Sequence, residues 1–102
     1  MLDITLKGRS VNTGVVDVDE VDVTQILPAN PRRVRATLQN VDDTNHVFIG
    51  GADLEADKSI SLSPGAAAFD GKGGMITLVT QGAIYGLADT ANVNVAYLEE
   101  SA

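Results

Sequence analysis

Four carboxylates lie close together near the start of the chain, at Asp17, Asp19, Glu20 and Asp22. Paired carboxylates can act as general acid and base in glycoside hydrolysis, and several carboxylate oxygens together can bind calcium. Asp17 and Asp19 alternate with valines, however, which is typical of the solvent-exposed face of a β-strand. The run also lacks the glycine that gives a calcium loop its sharp turn. We therefore predict neither a catalytic site nor a metal site here.

His46 is the single imidazole of the chain, and catalysis by a serine or threonine nucleophile commonly needs such a base. It stands in a segment whose composition predicts a turn, which favours an exposed loop histidine. The chain has no Gly-x-Ser-x-Gly motif, and it has no cysteine for thiol catalysis or for a zinc site. Gly50-Gly51 and the glycines of residues 71–74 match neither common phosphate-binding motif. We predict that the chain is not an enzyme and that it binds no cofactor.

Arg32, Arg33 and Arg35 form one basic cluster in a chain with 14 acidic and 7 basic residues and a net charge of −7. This acidic balance disfavours nucleic acid and anionic membrane surfaces as partners. Strand periodicity places Arg33 and Arg35 on one face. They either pair with acidic strands of the same chain or form a positive patch that binds an acidic surface of another subunit. The sequence leaves both interpretations open, and we include all three arginines among the predicted interface residues.

Leu2, Ile4 and Leu6 alternate with polar residues, which predicts a first strand. Residues 1–10 are either an edge strand or an N-terminal arm that adds to a neighbour's sheet by main-chain hydrogen bonding. The three apolar residues are therefore also predicted interface residues. The segment does not combine a basic start with an apolar run, so we expect no signal peptide. No stretch of the chain has membrane-spanning length.

Short strands separated by turn residues continue along the rest of the chain. Residues 8–14 are predicted as a turn, and a change in apolar parity at Asp19-Glu20 predicts a bulge or a break between strands. Pro28 and Pro31 predict a rigid corner where the chain crosses between sheets. The alternation of residues 34–38 predicts a central strand.

Later segments predict two hairpins and one final strand. Ser63-Pro64-Gly65 has the residues of a type II turn, which would reverse the chain into a strand over residues 66–69. Residues 75–80 form a second β-type run, and residues 83–88 are predicted to pair with it. Residues 52–58 are interpreted as a loop, because seven residues make a marginal helix. Val93, Val95 and Tyr97 mark the last half-buried strand.

These patterns predict an all-β protein, with about eight short strands in an antiparallel β-sandwich or jelly-roll-like fold. At 102 residues the chain is expected to form a single domain over residues 1–102. Hydrophobic residues make up 44% of the chain but aromatic residues only 4%, which predicts an aliphatic core. Because a small domain with such a core leaves apolar surface exposed, we expect a homo-oligomer.

Six short motifs occur in order along roughly residues 25–99, and each consists of ordinary strand and turn residues. They are Leu27-Pro28-Ala29-Asn30-Pro31-Arg32-Arg33, Ala36-Thr37-Leu38-Gln39-Asn40, Val47-Phe48-Ile49-Gly50-Gly51, Leu62-Ser63-Pro64-Gly65, Ala83-Ile84-Tyr85-Gly86-Leu87-Ala88 and Val93-Asn94-Val95. Together these motifs resemble small β domains in virion proteins of tailed bacteriophages and, in size, capsid decoration (cement) proteins.

The resemblance implies a protein without catalytic residues that is made in the host cytoplasm and sits on the capsid exterior. It would bind the major capsid protein, or another virion protein, as a homo-oligomer for which a trimer is favoured. A head-fibre or tail component is an alternative. A module that binds glycans or a host surface is another, and only Phe48, Phe69, Tyr85 and Tyr97 provide aromatic rings for it.

Overall fold

The computed structural model describes residues 10–102, which form eight β-strands and no helix. The predicted strand at Leu2, Ile4 and Leu6, and the interface role of these residues, lie outside the described residues. The strands are β1 (Ser10–Val18), β2 (Thr24–Leu27), β3 (Arg33–Asn40), β4 (Val47–Gly50), β5 (Ile60–Leu62), β6 (Met75–Leu78), β7 (Ile84–Ala88) and β8 (Val93–Ser101).

The strands form two four-stranded antiparallel sheets. The first sheet has the order β1-β8-β3-β6, and the second has the order β2-β7-β4-β5. Strand β1 pairs with β8, β2 with β7, β3 with β6, and β4 with β5. The chain thus resembles one long hairpin whose successive strand pairs alternate between the sheets. The prediction of an all-β antiparallel sandwich of about eight short strands is confirmed.

The core between the sheets is aliphatic, as the composition predicts. Val18, Leu38, Val47, Val93 and Val95 are fully buried. They come from both sheets, and each alternates along its strand with residues that point outward. Further aliphatic side chains complete this core: Ile26, Leu27, Ala36, Ile49, Leu62, Ile84 and Ala88.

The loops gather at two ends of the sandwich, because successive strands run in opposite directions. At one end lie residues 19–23, 41–46, 63–74 and 89–92, joined by main-chain hydrogen bonds such as Phe69 N to Val41 O and Asp89 N to His46 O. With the adjoining Asp17, these loops carry eight carboxylates and one cation, Lys72. We call this the acidic end. The other end contains residues 28–32, 51–59 and 79–83 and the three arginines, and we call it the arginine end.

Several sequence predictions are confirmed at the level of single elements. The chain breaks between β1 and β2 at Asp19, and it crosses from the second sheet to the first through the segment with Pro28 and Pro31. Strand β3 is a central strand of its sheet, and residues 52–58 are a loop. These features depend on backbone stereochemistry and local periodicity, which the sequence shows directly.

Three local predictions are wrong. Residues 10–14 lie in β1 rather than in a turn, because antiparallel pairing with β8 runs from Ser10 to Val18 without interruption. Residues 66–69 form part of a loop and not a strand. Strand β7 pairs with β2 and β4 and not with β6, which belongs to the other sheet. In the first and third cases the pairing partner is distant in sequence, and such pairing overrides local propensity.

Candidate protein interface

Arg33 and Arg35 lie on opposite sides of β3. The pairing of β3 with β8 shifts between these two residues, so that Val34 is an extra residue in the strand. This bulge turns Arg33 toward the interior, where it is 3% exposed, while Arg35 points to solvent. The prediction that the two arginines share one face is therefore wrong. Arg33 is a buried residue and does not contribute to a surface patch.

The guanidinium of Arg33 is the centre of a buried hydrogen-bond network at the arginine end. Its Nε donates to Glu99 Oε2 at 2.8 Å, and its Nη2 donates to Pro28 O at 2.6 Å. Nη1 donates to the carbonyl oxygens of Thr80 and Gly82, at 3.1 and 2.7 Å. Arg33 thus joins β8 to two loops of this end. Of the two interpretations that the sequence leaves open, the structure shows the intramolecular one for this residue.

Glu99 is the acidic partner of this network, and its surroundings lower the pKa of its carboxyl group. Burial by itself would raise the pKa of Glu99. Hydrogen bonds from Arg33 and Asn30, together with the charge of Arg33, more than offset this effect, and the pKa lies below its ordinary value of 4.5. Asn30 contributes through its side-chain amide, which donates to Glu99 Oε2 at 3.3 Å and to Ser101 Oγ at 3.0 Å.

This lowered pKa predicts a stability contribution that acid removes. Because the folded-state pKa is below the unfolded-state value, the contribution is complete above the unfolded pKa and disappears as pH falls through the folded pKa. In urea titrations between about pH 6 and pH 3, wild-type protein should therefore lose stability more steeply than Glu99→Gln. The exposed Glu55→Gln should follow the wild-type curve. Parallel curves for wild type and Glu99→Gln would contradict the prediction.

Arg32 and Arg35 remain at the surface. The Arg35 guanidinium pairs with the carboxylate of Glu100 on the neighbouring β8, and this hydrogen bond and the charge of Glu100 raise the pKa of Arg35. Arg32 is exposed, and its main-chain NH donates to Asn30 Oδ1 at 3.0 Å. Their role at an interface therefore stays a prediction.

The outer face of the first sheet presents large apolar side chains to solvent. Val11 and Val15 are 56% and 51% exposed, Met75 is 59% exposed, and Leu98 is 38% exposed. The strand register places all four on one face, with Thr13, Thr37, Thr77 and Ala96 between them. The hydroxyls of Thr37 and Thr77 are 3.1 Å apart and hydrogen-bonded to each other.

Among residues 10–102, the charged side chains on this outer face lie toward its ends. The pair Arg35 and Glu100 lies beside Val11, and Asp17 lies at the opposite end of β1. An apolar centre with charges at its rim is the usual composition of a protein interface. This face was not predicted from the sequence, because Val11 and Thr13 fall within residues 8–14, whose composition predicts a turn. The alternation of Val11, Thr13 and Val15 with Asn12 and Gly14 is the signal that could have revealed it.

The sandwich is also open along one side at the arginine end, where β5 and β6 are the edge strands. An apolar groove of about 260 Å³ lies there. Its lining carries no titratable side chain, so it offers no acid, base or nucleophile beyond a single threonine hydroxyl. The lining residues are Ile49, Gly50, Gly51, Ile60, Leu78, Thr80, Ala83 and Ile84.

Two of the acidic residues singled out in the sequence, Asp17 and Asp19, accept hydrogen bonds at the end of β1. Asp19 Oδ1 accepts a hydrogen bond from Val21 N at 3.2 Å, and Asp17 accepts one from the Asn92 amide at 3.4 Å. Within residues 10–102 no group of three or more histidine, cysteine or acidic side chains is placed to hold a metal ion. His46 is an exposed loop residue, as its sequence context predicts.

No helix in the described part of the chain is long and apolar enough to cross a membrane. No protein-family model and no curated protein matches the chain. Among solved structures, it is similar to the stem and receptor-binding domain of the spike protein P1 from bacteriophage PM2, with a TM-score of 0.56 and 19% sequence identity. The match covers 78% of this chain and 29% of the spike structure. At this identity the similarity establishes a shared β-sandwich fold.

Proposed function

We propose that the chain is a structural protein of a bacteriophage virion, and specifically a capsid decoration protein that binds and stabilises the lattice of the major capsid protein. The resemblance of its motifs to small β domains of phage virion proteins supports this function. The similarity of its fold to a domain of a phage spike protein is consistent with it. In this role the protein is a homo-oligomer on the capsid exterior, and a trimer is the favoured state.

The outer face of the first sheet is the observation that carries the proposal. Val11, Val15 and Met75 are each about half exposed, so a partner that buried one of them fully would gain about half of the roughly 1.5–3 kcal/mol that complete burial of such a side chain contributes. A decoration protein gains additional affinity because its contacts are repeated over the lattice. An oligomer that binds several lattice sites at once binds far more tightly than one subunit. The surface arginines Arg32 and Arg35 would add polar contacts around this face.

Two matched substitutions test the role of the outer face. Val15→Lys places a charge within the face, whereas Val79→Lys places the same charge in the β6–β7 loop at the arginine end, where the valine is 84% exposed. We expect Val15→Lys to lower the oligomeric mass, or to weaken binding to capsid shells about tenfold or more, because a buried lysine must be desolvated. Light scattering during size-exclusion chromatography and co-sedimentation with shells lacking the protein measure these effects.

Val79→Lys is the control and should leave both the oligomeric mass and the sedimentation with shells unchanged. A wild-type protein that stays monomeric at all concentrations and fails to sediment with shells would overturn the proposed function. Equal behaviour of wild type and Val15→Lys, with wild type bound, would retain the function but remove the outer face from it.

Attachment to a host surface is the second candidate function. The spike protein with a similar fold is described as having a receptor-binding domain. In this chain Phe48 and Tyr85 are half-buried on the outer face of the second sheet, where Gln25 Nε2 also lies 3.4 Å from the Tyr85 hydroxyl. Such rings can stack on sugars. Sedimentation of the protein with whole host cells, and not with capsid shells, would favour this candidate.

A further inference from the structure

Main-chain hydrogen bonds join the two ends of the loop between β5 and β6, residues 63–74, and attach the loop to its neighbour. Gly74 N donates to Ser63 O at 2.7 Å, so the two ends of the loop meet. Gly65 N and Phe69 N donate to the carbonyl oxygens of Asp42 and Val41, at 2.9 and 3.1 Å, which fastens the loop to its neighbour at the acidic end. Compact surface loops with adjacent ends frequently carry function.

Asp70 organises the tip of this loop. Its carboxylate accepts hydrogen bonds from three main-chain NH groups, those of Ala66 and Ala67 at 2.9 Å each and that of Lys72 at 2.8 Å. The bonds from Lys72 and Ala67 lower the pKa of Asp70 most strongly, so the carboxylate is ionised throughout the neutral range. A side chain with three backbone donors fixes the conformation of the residues around it.

Phe69 stands at this fixed tip in a conformation that its side chain disfavours. Its φ is +58°, in the left-handed region that glycine and asparagine adopt at much lower energy, and its ring is 62% exposed. Glycine would relieve the backbone strain and remove the apolar surface from water. Folding therefore gains little from this largely exposed side chain. Strained backbone and an exposed apolar side chain together indicate a residue that is held for contact with another molecule.

The surroundings of Phe69 define the chemistry of that contact. The acidic end has a net charge of −7, from its eight carboxylates and Lys72, whereas the remaining described residues sum to −1. A partner that approaches this end is favoured if its own surface is basic. Aromatic residues inserted in apolar pockets are typical energetic centres of protein interfaces.

We propose that Phe69 inserts into an apolar pocket with a basic rim on the capsid shell, and that the acidic end is the side of the protein that faces the shell. This inference rests on the proposed function and assigns a separate task to each surface. The outer face of the first sheet joins copies of the chain, and Phe69 attaches the assembled oligomer to its partner.

Substitutions of Phe69 separate binding from folding. Phe69→Gly should keep the oligomeric mass and equal or exceed the wild-type resistance to urea, since glycine relieves the strain. It should nevertheless weaken binding to capsid shells about tenfold or more, as expected for loss of an aromatic interface centre. Phe69→Tyr should restore most of the binding. Val79→Gly removes an 84% exposed apolar side chain at the arginine end and is the matched control, which should bind as wild type does.

Sedimentation with shells lacking the protein, at increasing salt, provides the measurement. Binding of wild type should weaken as salt screens the acidic end. If wild type binds and Phe69→Gly binds equally well, the inference is wrong while the proposed function stands. If Phe69→Gly loses oligomeric mass or stability together with binding, the residue has a structural role and the inference is also wrong. If wild type does not bind shells, both fail.

Discussion

Arg33→Ala is expected to lower the free energy of unfolding by about 3–5 kcal/mol, the usual result of removing one member of a buried ion pair. The substitution removes four hydrogen bonds at once, to Glu99, Pro28, Thr80 and Gly82. It also leaves the Glu99 carboxylate, whose side chain is only 9% exposed, without its cationic partner. Urea denaturation of the purified protein at neutral pH measures the loss.

Arg35 provides an internal control for this prediction, because it lies two residues further along the same strand. Its side chain is 48% exposed, so its pair with Glu100 is open to solvent on the arginine side. Pairs of this kind contribute little to stability, so Arg35→Ala should unfold close to the wild-type midpoint. If both variants were destabilised equally, the bulge at Val34 and the burial of Arg33 would be incorrect.

Gly73→Ala is expected to lower the free energy of unfolding by about 3 kcal/mol, at the upper end of the range for an overpacked site. A Cβ atom at this position would lie 1.8 Å from the carbonyl oxygen of Asn40, which is main chain and cannot rotate away. The displacement would reach the Asn40 side chain, which is 1% exposed and donates to the carbonyl oxygens of Asn45 and Leu62.

Gly82→Ala is the matched control, since a Cβ there would meet only the Thr80 hydroxyl at an ordinary contact distance of 3.5 Å. This variant should have wild-type stability by urea denaturation. A Gly73→Ala protein with the same midpoint as Gly82→Ala would show that the loop and β3 are not in close contact.

The sequence contains enough information for the fold class because local chemistry determines it. Alternation along residues 34–38 places Ala36 and Leu38 in the core, and the two prolines before Arg33 interrupt the ladder where the chain changes sheets. Strand pairing is a different matter. Strand β7 contains β-type residues that suit several neighbours, and only packing between the sheets selects β2 and β4 as its partners.

The candidate interface was less accessible to sequence reasoning. A single extra residue, Val34, reverses the orientation of Arg33, and nothing in the local pattern reveals the bulge. Phe69 lies in a segment whose local sequence is compatible with either a strand or a loop. Its left-handed conformation results from the hydrogen bonds that Asp70 makes within a loop closed by glycines, and this arrangement exists only in three dimensions.

The nested pairing of the strands has a consequence for the time order of folding. In both sheets a strand from the last part of the chain fills a position between two early strands, since β8 separates β1 from β3 and β7 separates β2 from β4. Ser10 finds its partner only when Ser101 has been synthesised. Strand pairing in either sheet therefore cannot be completed during synthesis until β7 and β8 have been made. Folding is dominated by contacts distant in sequence and is correspondingly slow, in the millisecond to second range. Until it is complete, the unpaired early strands expose their edges to other nascent copies.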